Sequence, residues 1–154
     1  MAAKVRTCLW YDGTAEEAAR FYVSLIPDSS IESAFRPAPD GPALVVAFTL
    51  AGTPYQALNG GPQFKHSEAA SISVTTLDQD EIDRLWTALT ADGGRESRCG
   101  WLVDRFGLSW QIVPEALPRL LGDTDRQASA RVMETMMTMA KIDIAALEAA
   151  YHGS

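Results

Sequence analysis

The chain has 154 residues, and its 20 acidic side chains outnumber its 13 basic ones, which gives a formal net charge of −7. A composition of 47% hydrophobic and 21% charged residues excludes disordered and fibrous proteins and is typical of one globular domain. The acidic excess argues against nucleic acid as a partner, because phosphate binding requires clustered lysines and arginines.

The hydrophobic segments are too short for a membrane protein. The longest apolar run spans 43–48, whereas a membrane-spanning helix needs about 20 apolar residues. The first residues also lack the apolar stretch of a signal peptide. We therefore expect a cytoplasmic protein without a membrane partner, in which Cys8 and Cys99 stay reduced and Cys99 is buried.

The first 60 residues predict a βαβββ unit. Thr14 and Glu17 have the spacing of a capping box, in which each side chain bonds the backbone N–H of the other residue. Helical periodicity follows this pair until Pro27, and turn residues separate the extended segments. The predicted elements are a strand over 5–11, a helix over 14–25, and strands over 30–36, 44–50 and 55–58.

The pattern then repeats. Asp78 is placed to cap a helix whose apolar positions match those of the first helix. Gly52-Thr53-Pro54-Tyr55-Gln56 and Gly107-Leu108-Ser109-Trp110-Gln111 share a glycine, an aromatic residue and a glutamine, which favours duplication. The predicted elements are a strand over 70–75, a helix carrying Ile82, Leu85, Trp86 and Leu89, and strands over 96–99, 101–103 and 108–113.

Helices follow Pro114. We predict a short helix over 115–121, a second after 122–125, and a third capped by Asp143. The second carries a stripe of Val132, Met136, Met139 and Ala140, with Met133 and Met137 beside it, which indicates core or subunit packing. The chain is thus predicted to be one domain over 1–154, with modules over 1–60 and 66–114 and a C-terminal helical extension over 115–154.

Several segments together resemble a known family. They are Leu9 to Ala18, Ala57 to Pro62, Cys99 to Leu102, Asp104 to Pro114, and Lys141 to Ile144. They resemble the PhnB-like, or demethylubiquinone 3-methyltransferase-like, branch of the vicinal oxygen chelate (VOC) superfamily, which contains glyoxalase, bleomycin-resistance and dioxygenase proteins. This resemblance implies an α+β fold in which two βαβββ modules form an open cup, and it implies a homodimer.

The resemblance also implies where a metal would bind. Enzymes of the superfamily hold a divalent metal in the cup through the first and last strands of the modules. Those positions fall on Arg6 and Ala69 in the first strands and on Gln56 and Gln111 in the last strands. None of these is a carboxylate, an imidazole or a thiolate, so we expect neither a bound metal nor another cofactor.

The candidate ligand-binding residues lie near these positions, and no catalytic residue is assigned. Each has a structural alternative: a hydrogen-bonded sheet glutamine for Gln111, a strand-ending turn for Asn59, and a solvated side chain for His66. The tryptophans could equally be packing residues. The candidates are Gln111, Gln56, Asn59, Trp10, Trp101, Phe64, His66 and Glu68.

These observations favour a metal-free homodimer that binds a small organic molecule. A first alternative is a metal-dependent lyase, isomerase or dioxygenase that takes ligands from His66 or Glu68. A second is the methyltransferase of the family label, although neither Gly60-Gly61 nor Gly93-Gly94 lies in a strand-to-helix turn that could admit a nucleotide cofactor. A third is a non-binding structural dimer, suggested by the acidic surface and the Met-rich helices.

Overall fold

The computed structural model describes residues 2–154, which form two four-stranded mixed sheets with helices, an α+β fold. The chain divides into two compact units, of which the first ends at His66 and the second begins at Ser67. The first unit contains β1 (Thr7–Tyr11), α1 (Ala15–Leu25), β2 (Ser30–Phe35), β3 (Val45–Leu50) and β4 (Thr53–Asn59). The second contains β5 (Ser71–Thr76), α2 (Gln79–Thr90), β6 (Arg95–Glu96), β7 (Trp101–Val103), β8 (Ser109–Pro114), α3 (Ala116–Leu121), α4 (Arg126–Met136) and α5 (Ile144–His152).

The two sheets have the same topology, which confirms the repeated βαβββ order. Their strand orders are β1-β4-β3-β2 and β5-β8-β7-β6. In each, the first strand pairs in parallel with the last, and the remaining pairs are antiparallel. Parallel pairing requires a long crossover connection, and α1 and α2 lie within those connections. Among residues 2–154, no helix is long and apolar enough to cross a membrane.

In the first unit, α1 packs against one face of the sheet, on β3 and β4. Tyr22 on α1 and Phe48 on β3 are fully buried, and their ring centroids lie 6.4 Å apart. The hydroxyl oxygens of Tyr22 and Tyr11 are 3.0 Å apart in the interior, so each buried phenol satisfies a polar group of the other. Small residues such as Ala18, also fully buried, allow the helix to approach the sheet closely.

The predicted capping box at the start of α1 is wrong. Thr14 occupies the N-cap position, but its side chain makes no capping hydrogen bond within the described part of the chain. The Oδ1 atom of Asn59, at the end of β4, instead accepts a hydrogen bond of 2.9 Å from the backbone N–H of Ala15. The free N–H groups of a helix start need an acceptor, and a distant residue supplies one.

In the second unit, α2 matches its prediction. Asp78 is the N-cap, and its carboxylate accepts a 2.9 Å hydrogen bond from the N–H of Glu81. The predicted apolar positions face β7 and β8, which lie within the same unit. These positions, all buried, are Ile82, Leu85, Trp86 and Leu89.

A buried carboxylate organises the turn between β7 and β8. Asp104 is 2% exposed and accepts hydrogen bonds from the backbone N–H groups of Phe106 (2.9 Å) and Leu108 (3.0 Å). Its second oxygen accepts from the indole N–H of Trp110 at 2.9 Å. Three donors balance the cost of burying this side chain. The carboxylate therefore fixes both the turn and the ring of Trp110, which is fully buried.

The strand predicted over 96–99 is wrong, because β6 contains only Arg95–Glu96. Residues 97–100 form a turn in which Cys99 has φ +57° and Gly100 has φ +85°. This left-handed backbone cannot continue a strand. Cys99 is partly exposed rather than buried, and its Sγ lies 3.7 Å from the Sδ atom of Met137.

The C-terminal segment is bound to the second unit by polar contacts. The side-chain amide of Gln79 donates to Ile142 O (2.9 Å) and accepts from Ile144 N (2.9 Å). Lys141 forms a 2.7 Å ion pair with Asp83. The hydrogen bonds from Lys141 and from Gln79 hold the pKa of Asp83 below its ordinary value. As predicted, Asp143 caps α5.

The Met-rich stripe lies only partly in the core, because Met136, Met139 and Ala140 are half-buried. Val132 is fully buried, but Met133 and Met137 are 44% and 55% exposed. The helix ends at Met136, so Met139 lies beyond it. The prediction that the helix continues through residue 140 is therefore wrong. Met133 and Met137, which are exposed, are not core residues.

Candidate functional site

A glutamine occupies the same central position in each sheet. Gln56 on β4 is registered with Cys8 on β1 and Ala47 on β3. In the second sheet the corresponding row is formed by Ser73 on β5, Gln111 on β8 and Trp101 on β7. We call these the first row (Ala47, Gln56, Cys8) and the second row (Trp101, Gln111, Ser73).

Both rows lie on the sheet face turned away from the helix. Side chains alternate between the two faces of a strand. In β8, Trp110 is registered with Leu102 on the helix side, where both are fully buried, so Gln111 points to the other face. In β4, Tyr55 stacks on Phe48 at a centroid distance of 5.5 Å on the helix side, so Gln56 also points away. Strand alternation thus brings each glutamine to an open face.

The second row combines a hydroxyl, an amide and an indole. Gln111 is partly buried and its Nε2 atom donates to Ser71 Oγ at 3.0 Å, as expected for a hydrogen-bonded sheet glutamine. Its Oε1 accepts no hydrogen bond from residues 2–154. Ser73 is exposed and Trp101 is partly exposed. The row therefore presents an acceptor, a hydroxyl and part of an aromatic ring system.

The face around the first row is more apolar. Beside that row runs a second line of registered residues, Val45, Leu58 and Trp10. Phe35, registered with Val45 on the edge strand, is 59% exposed. Gln56 is partly buried, and Cys8 is exposed with a free thiol.

The turn after β4 holds the indole of Trp10. Its Nε1 donates to Gly61 O at 2.8 Å, and the ring of Phe64 contacts it edge to face at 4.9 Å. Gly60 has no Cβ, and one added there would lie 2.3 Å from Cζ2 of Trp10. Only glycine allows the ring to lie on this turn. Phe64 itself is 66% exposed, so this pair presents aromatic surface.

Both polar atoms of the Asn59 side chain, Oδ1 and Nδ2, make structural hydrogen bonds. Its Oδ1 accepts from Ala15 N, and its Nδ2 donates to Ala43 O at 2.9 Å. These bonds connect the end of β4 to the start of α1 and to the loop before β3. The amide is therefore not directed at a ligand in this conformation.

His66 and Glu68 each have a protein partner. The Nε2 atom of His66 lies 2.7 Å from the backbone oxygen of Trp10, and its ring lies 5.4 Å from that of Tyr11. A carbonyl can only accept, so Nε2 carries the proton. His66 is partly buried, and the expectation of a solvated side chain is wrong. Glu68, in the second unit, is exposed and pairs with Arg95 at 3.4 Å.

The two residues expected in the first strands, Arg6 and Ala69, lie just before β1 and β5. Arg6 precedes β1, and Cys8 is the residue paired with Gln56. The guanidinium of Arg6 donates to Tyr55 O at 3.0 Å and pairs with the carboxylate of Glu32. It is a structural cation that joins strands.

In the second unit Ala69 is exposed and precedes β5, and Ser73 is paired with Gln111 instead. Cys8 and Ser73 were not among the predicted candidates. They follow from the strand register, because each is the partner of the row's glutamine in a parallel pair.

Neither row has the side chains that a divalent metal requires. Cys8, Gln56, Ser73 and Gln111 supply one thiol, two neutral amides and one hydroxyl. Zinc and the transition metals are held by three or more imidazole, carboxylate or thiolate ligands. Within residues 2–154 no group of three or more His, Cys, Asp or Glu side chains could hold a metal ion.

Comparison with known proteins identifies the class and then the family. A Bacillus cereus structure, provisionally described as 3-demethylubiquinone-9 3-methyltransferase, PhnB protein, superposes with a TM-score of 0.66 at 31% identity, covering 73% of this chain and 99% of the other. The fold is that of the glyoxalase, bleomycin-resistance and dioxygenase proteins of the VOC superfamily. The model of the 3-demethylubiquinone-9 3-methyltransferase family matches residues 3–113, and the chain belongs to this PhnB-like family.

More distant structures support the fold alone. A Pseudomonas aeruginosa protein has a TM-score of 0.60 at 20% identity, covering 74% of this chain and 98% of the other. The fosfomycin resistance protein FosX of Listeria monocytogenes, solved with Mn(II) and sulfate, has a TM-score of 0.54 at 11% identity, covering 79% of this chain and 97% of the other. No curated protein matches the sequence. The family match ends before α3, so α3 to α5 lie outside it.

Proposed function

We propose that this protein binds a small organic molecule on the sheet faces turned away from the helices, without a metal ion. The observation that carries the proposal is the composition of the two rows. At the positions where metal-dependent relatives need charged or imidazole donors, this chain has glutamines beside a thiol or a hydroxyl. Neutral polar groups next to aromatic surface, as at Trp10 and Trp101, are typical of organic ligand sites.

A metal-dependent enzyme that uses His66 or Glu68 has less support. The Nε2 atom of His66 donates to Trp10 O, and Glu68 is engaged with Arg95. A metal bound by Glu68 would have to displace Arg95. In His66 the other ring nitrogen, Nδ1, could bind a metal, but within residues 2–154 no three His, Cys, Asp or Glu side chains are grouped to complete such a site. The methyltransferase activity in the family's name has no support from a nucleotide-binding turn, because Gly60-Gly61 follows β4 without opening a helix and Gly93-Gly94 follows α2.

We also propose a cytoplasmic homodimer. Both cysteines are free thiols, as in a reducing compartment. Met133 and Met137 present apolar side chains on and just after α4, and flexible methionines at a surface are suited to subunit packing. Light scattering of the wild type and of Met137→Glu tests this: a dimer that the substitution dissociates supports the proposal, and a monomeric wild type contradicts it.

The proposal that no metal ion is bound is tested by elemental analysis of protein purified without chelators. Titration with Zn²⁺ and Mn²⁺ follows. We expect less than one tenth of an equivalent of bound metal, as an order-of-magnitude limit for a site that lacks charged donors. Stoichiometric metal that is lost in Gln111→Leu or Cys8→Ser would overturn the proposal. The ligand part is tested by a fragment screen followed by NMR, where binding must perturb residues of either row.

A further inference from the structure

We infer that the second row is a stacking site for a flat, uncharged ligand that carries a hydrogen-bond donor. The inference rests on the proposed function, and it adds which unit binds the ring and which charge state is accepted. It follows from the register of three strands, from the hydrogen bonds that the row leaves unused, and from the charge of the strands.

The first step concerns geometry. Trp101, Gln111 and Ser73 are registered neighbours on three adjacent strands. Adjacent strands lie about 4.8 Å apart, so the row spans about 10 Å, which is the length of one substituted aromatic ring. A ring stacked on the indole of Trp101 directs its substituent toward Gln111 and Ser73. The first row has Ala47 in the place of Trp101 and offers no such surface.

The second step concerns hydrogen bonds. Gln111 donates to Ser71 Oγ, and this bond fixes the amide with Oε1 as a free acceptor. Neither the indole N–H of Trp101 nor the hydroxyl of Ser73 bonds within residues 2–154. Unused polar groups beside an aromatic ring call for a ligand that both donates and accepts.

The third step concerns charge. The strands that build this face, β5, β7 and β8, contain no Asp, Glu, Lys, Arg or His. Arg95 on the edge strand β6 is exposed and paired with Glu68. An anion placed on the row would lose hydration without gaining a cation, and this loss is costly. The row therefore selects against carboxylates, phosphates and phosphonates.

Benzamide and benzoate provide a matched pair of probes, because they share a flat ring and differ in charge and in the donating N–H. We propose titrating each into ¹⁵N-labelled protein and following the indole N–H of Trp101 and the side-chain amide of Gln111. We expect benzamide to shift both signals and to bind at least about ten times more tightly than benzoate, because the anion has no cation to pair with. Equal or tighter binding of benzoate would overturn the inference.

Variants separate this site from the rest of the protein. Trp101→Leu should weaken benzamide binding about tenfold, because it removes the aromatic face on which the ring stacks. Gln127→Leu, at an exposed glutamine of α4 outside both rows, should leave the binding unchanged. Ser73→Lys should reverse the preference toward benzoate. If fragments bind only near Trp10, the inference fails while the proposed function stands. If no fragment perturbs either row, both fail.

Discussion

The two units share a topology and a central glutamine, but different side chains stabilise them. In the first unit, Asn59 at the end of the last strand caps α1 from a distance. In the second, Asp78 caps α2 locally, while Asp104 supports the last hairpin. The same fold is therefore stabilised by unrelated contacts in the two units. The side chains on the open faces also differ between the units. Ala47 and Cys8 in the first row occupy the places of Trp101 and Ser73 in the second row.

The largest effect is expected at Asp104. Replacing it with alanine leaves three donors without an acceptor in the interior, so Asp104→Ala should lower the free energy of unfolding by about 3–4 kcal/mol. Urea denaturation followed by circular dichroism measures this. Asp40→Ala, at an exposed loop of the first unit, is the matched control and should change stability by less than about 0.5 kcal/mol. A loss below about 1 kcal/mol for Asp104→Ala would show that the hairpin does not depend on the carboxylate.

The next largest effect is expected at the N-terminal caps of α1 and α2, which Asn59 and Asp78 provide. Asn59→Ala removes a long-range cap and a bond to Ala43 O, and it should cost about 2 kcal/mol, against about 1 kcal/mol for Asp78→Ala. Denaturant unfolding of both variants measures the two losses of unfolding free energy. Hydrogen exchange should rise at the first turn of α1 in Asn59→Ala only. Equal losses, or protection unchanged at Ala15, would mean that the distant cap is not the stronger one.

A smaller effect is expected where the C-terminal segment joins the second unit. Gln79→Ala removes the bonds to Ile142 O and Ile144 N, and it should destabilise the protein by about 1–2 kcal/mol. Amide exchange in 139–144 should increase while exchange in the first unit stays the same. Gln63→Ala, an exposed glutamine of the first unit, is the control. If amide exchange in 139–144 were the same before and after the substitution, Gln79 would not hold the C-terminal segment on the second unit.

The smallest effect is a pH dependence at the same junction. The pKa of Asp83 is lowered in the folded protein by hydrogen bonds from Lys141 and Gln79. A lowered pKa stabilises the fold above the ordinary carboxyl pKa, and this contribution is lost as pH falls through the lowered value. Wild-type protein should therefore lose more stability between pH 6 and about pH 3 than Asp83→Asn. The same pH slope in both proteins would exclude a contribution from Asp83.

Periodicity and turn residues were sufficient to predict the repeated βαβββ order, because α2 and the long strands carry their own signals, whereas the fold class was inferred from the family resemblance. The cap of α1 could not be predicted, since Asn59 lies 44 residues away from Ala15 along the chain. The strand predicted at 96–99 failed because Cys99 adopts a left-handed backbone that residue type did not reveal.

For the site, Gln56 and Gln111 were predicted from the family resemblance, and they are the central residues of the two rows. The strand neighbours of these glutamines depend on register. The predicted Arg6 and Ala69 lie two and four residues before the registered partners, Cys8 and Ser73. Asp104 lies within a segment that resembles the family. Only the structure shows that its carboxylate is buried and holds the turn and the ring of Trp110.

The most direct test of metal-free ligand binding is one crystal structure of the protein soaked with uncharged aromatic fragments and Mn²⁺ together, with anomalous data collected for the metal. The account predicts fragment density along the second row, with a ring on Trp101 and a polar group at Gln111, and no anomalous peak at either glutamine. A manganese peak ligated by Gln56 or Gln111, with no fragment on either row, would contradict it.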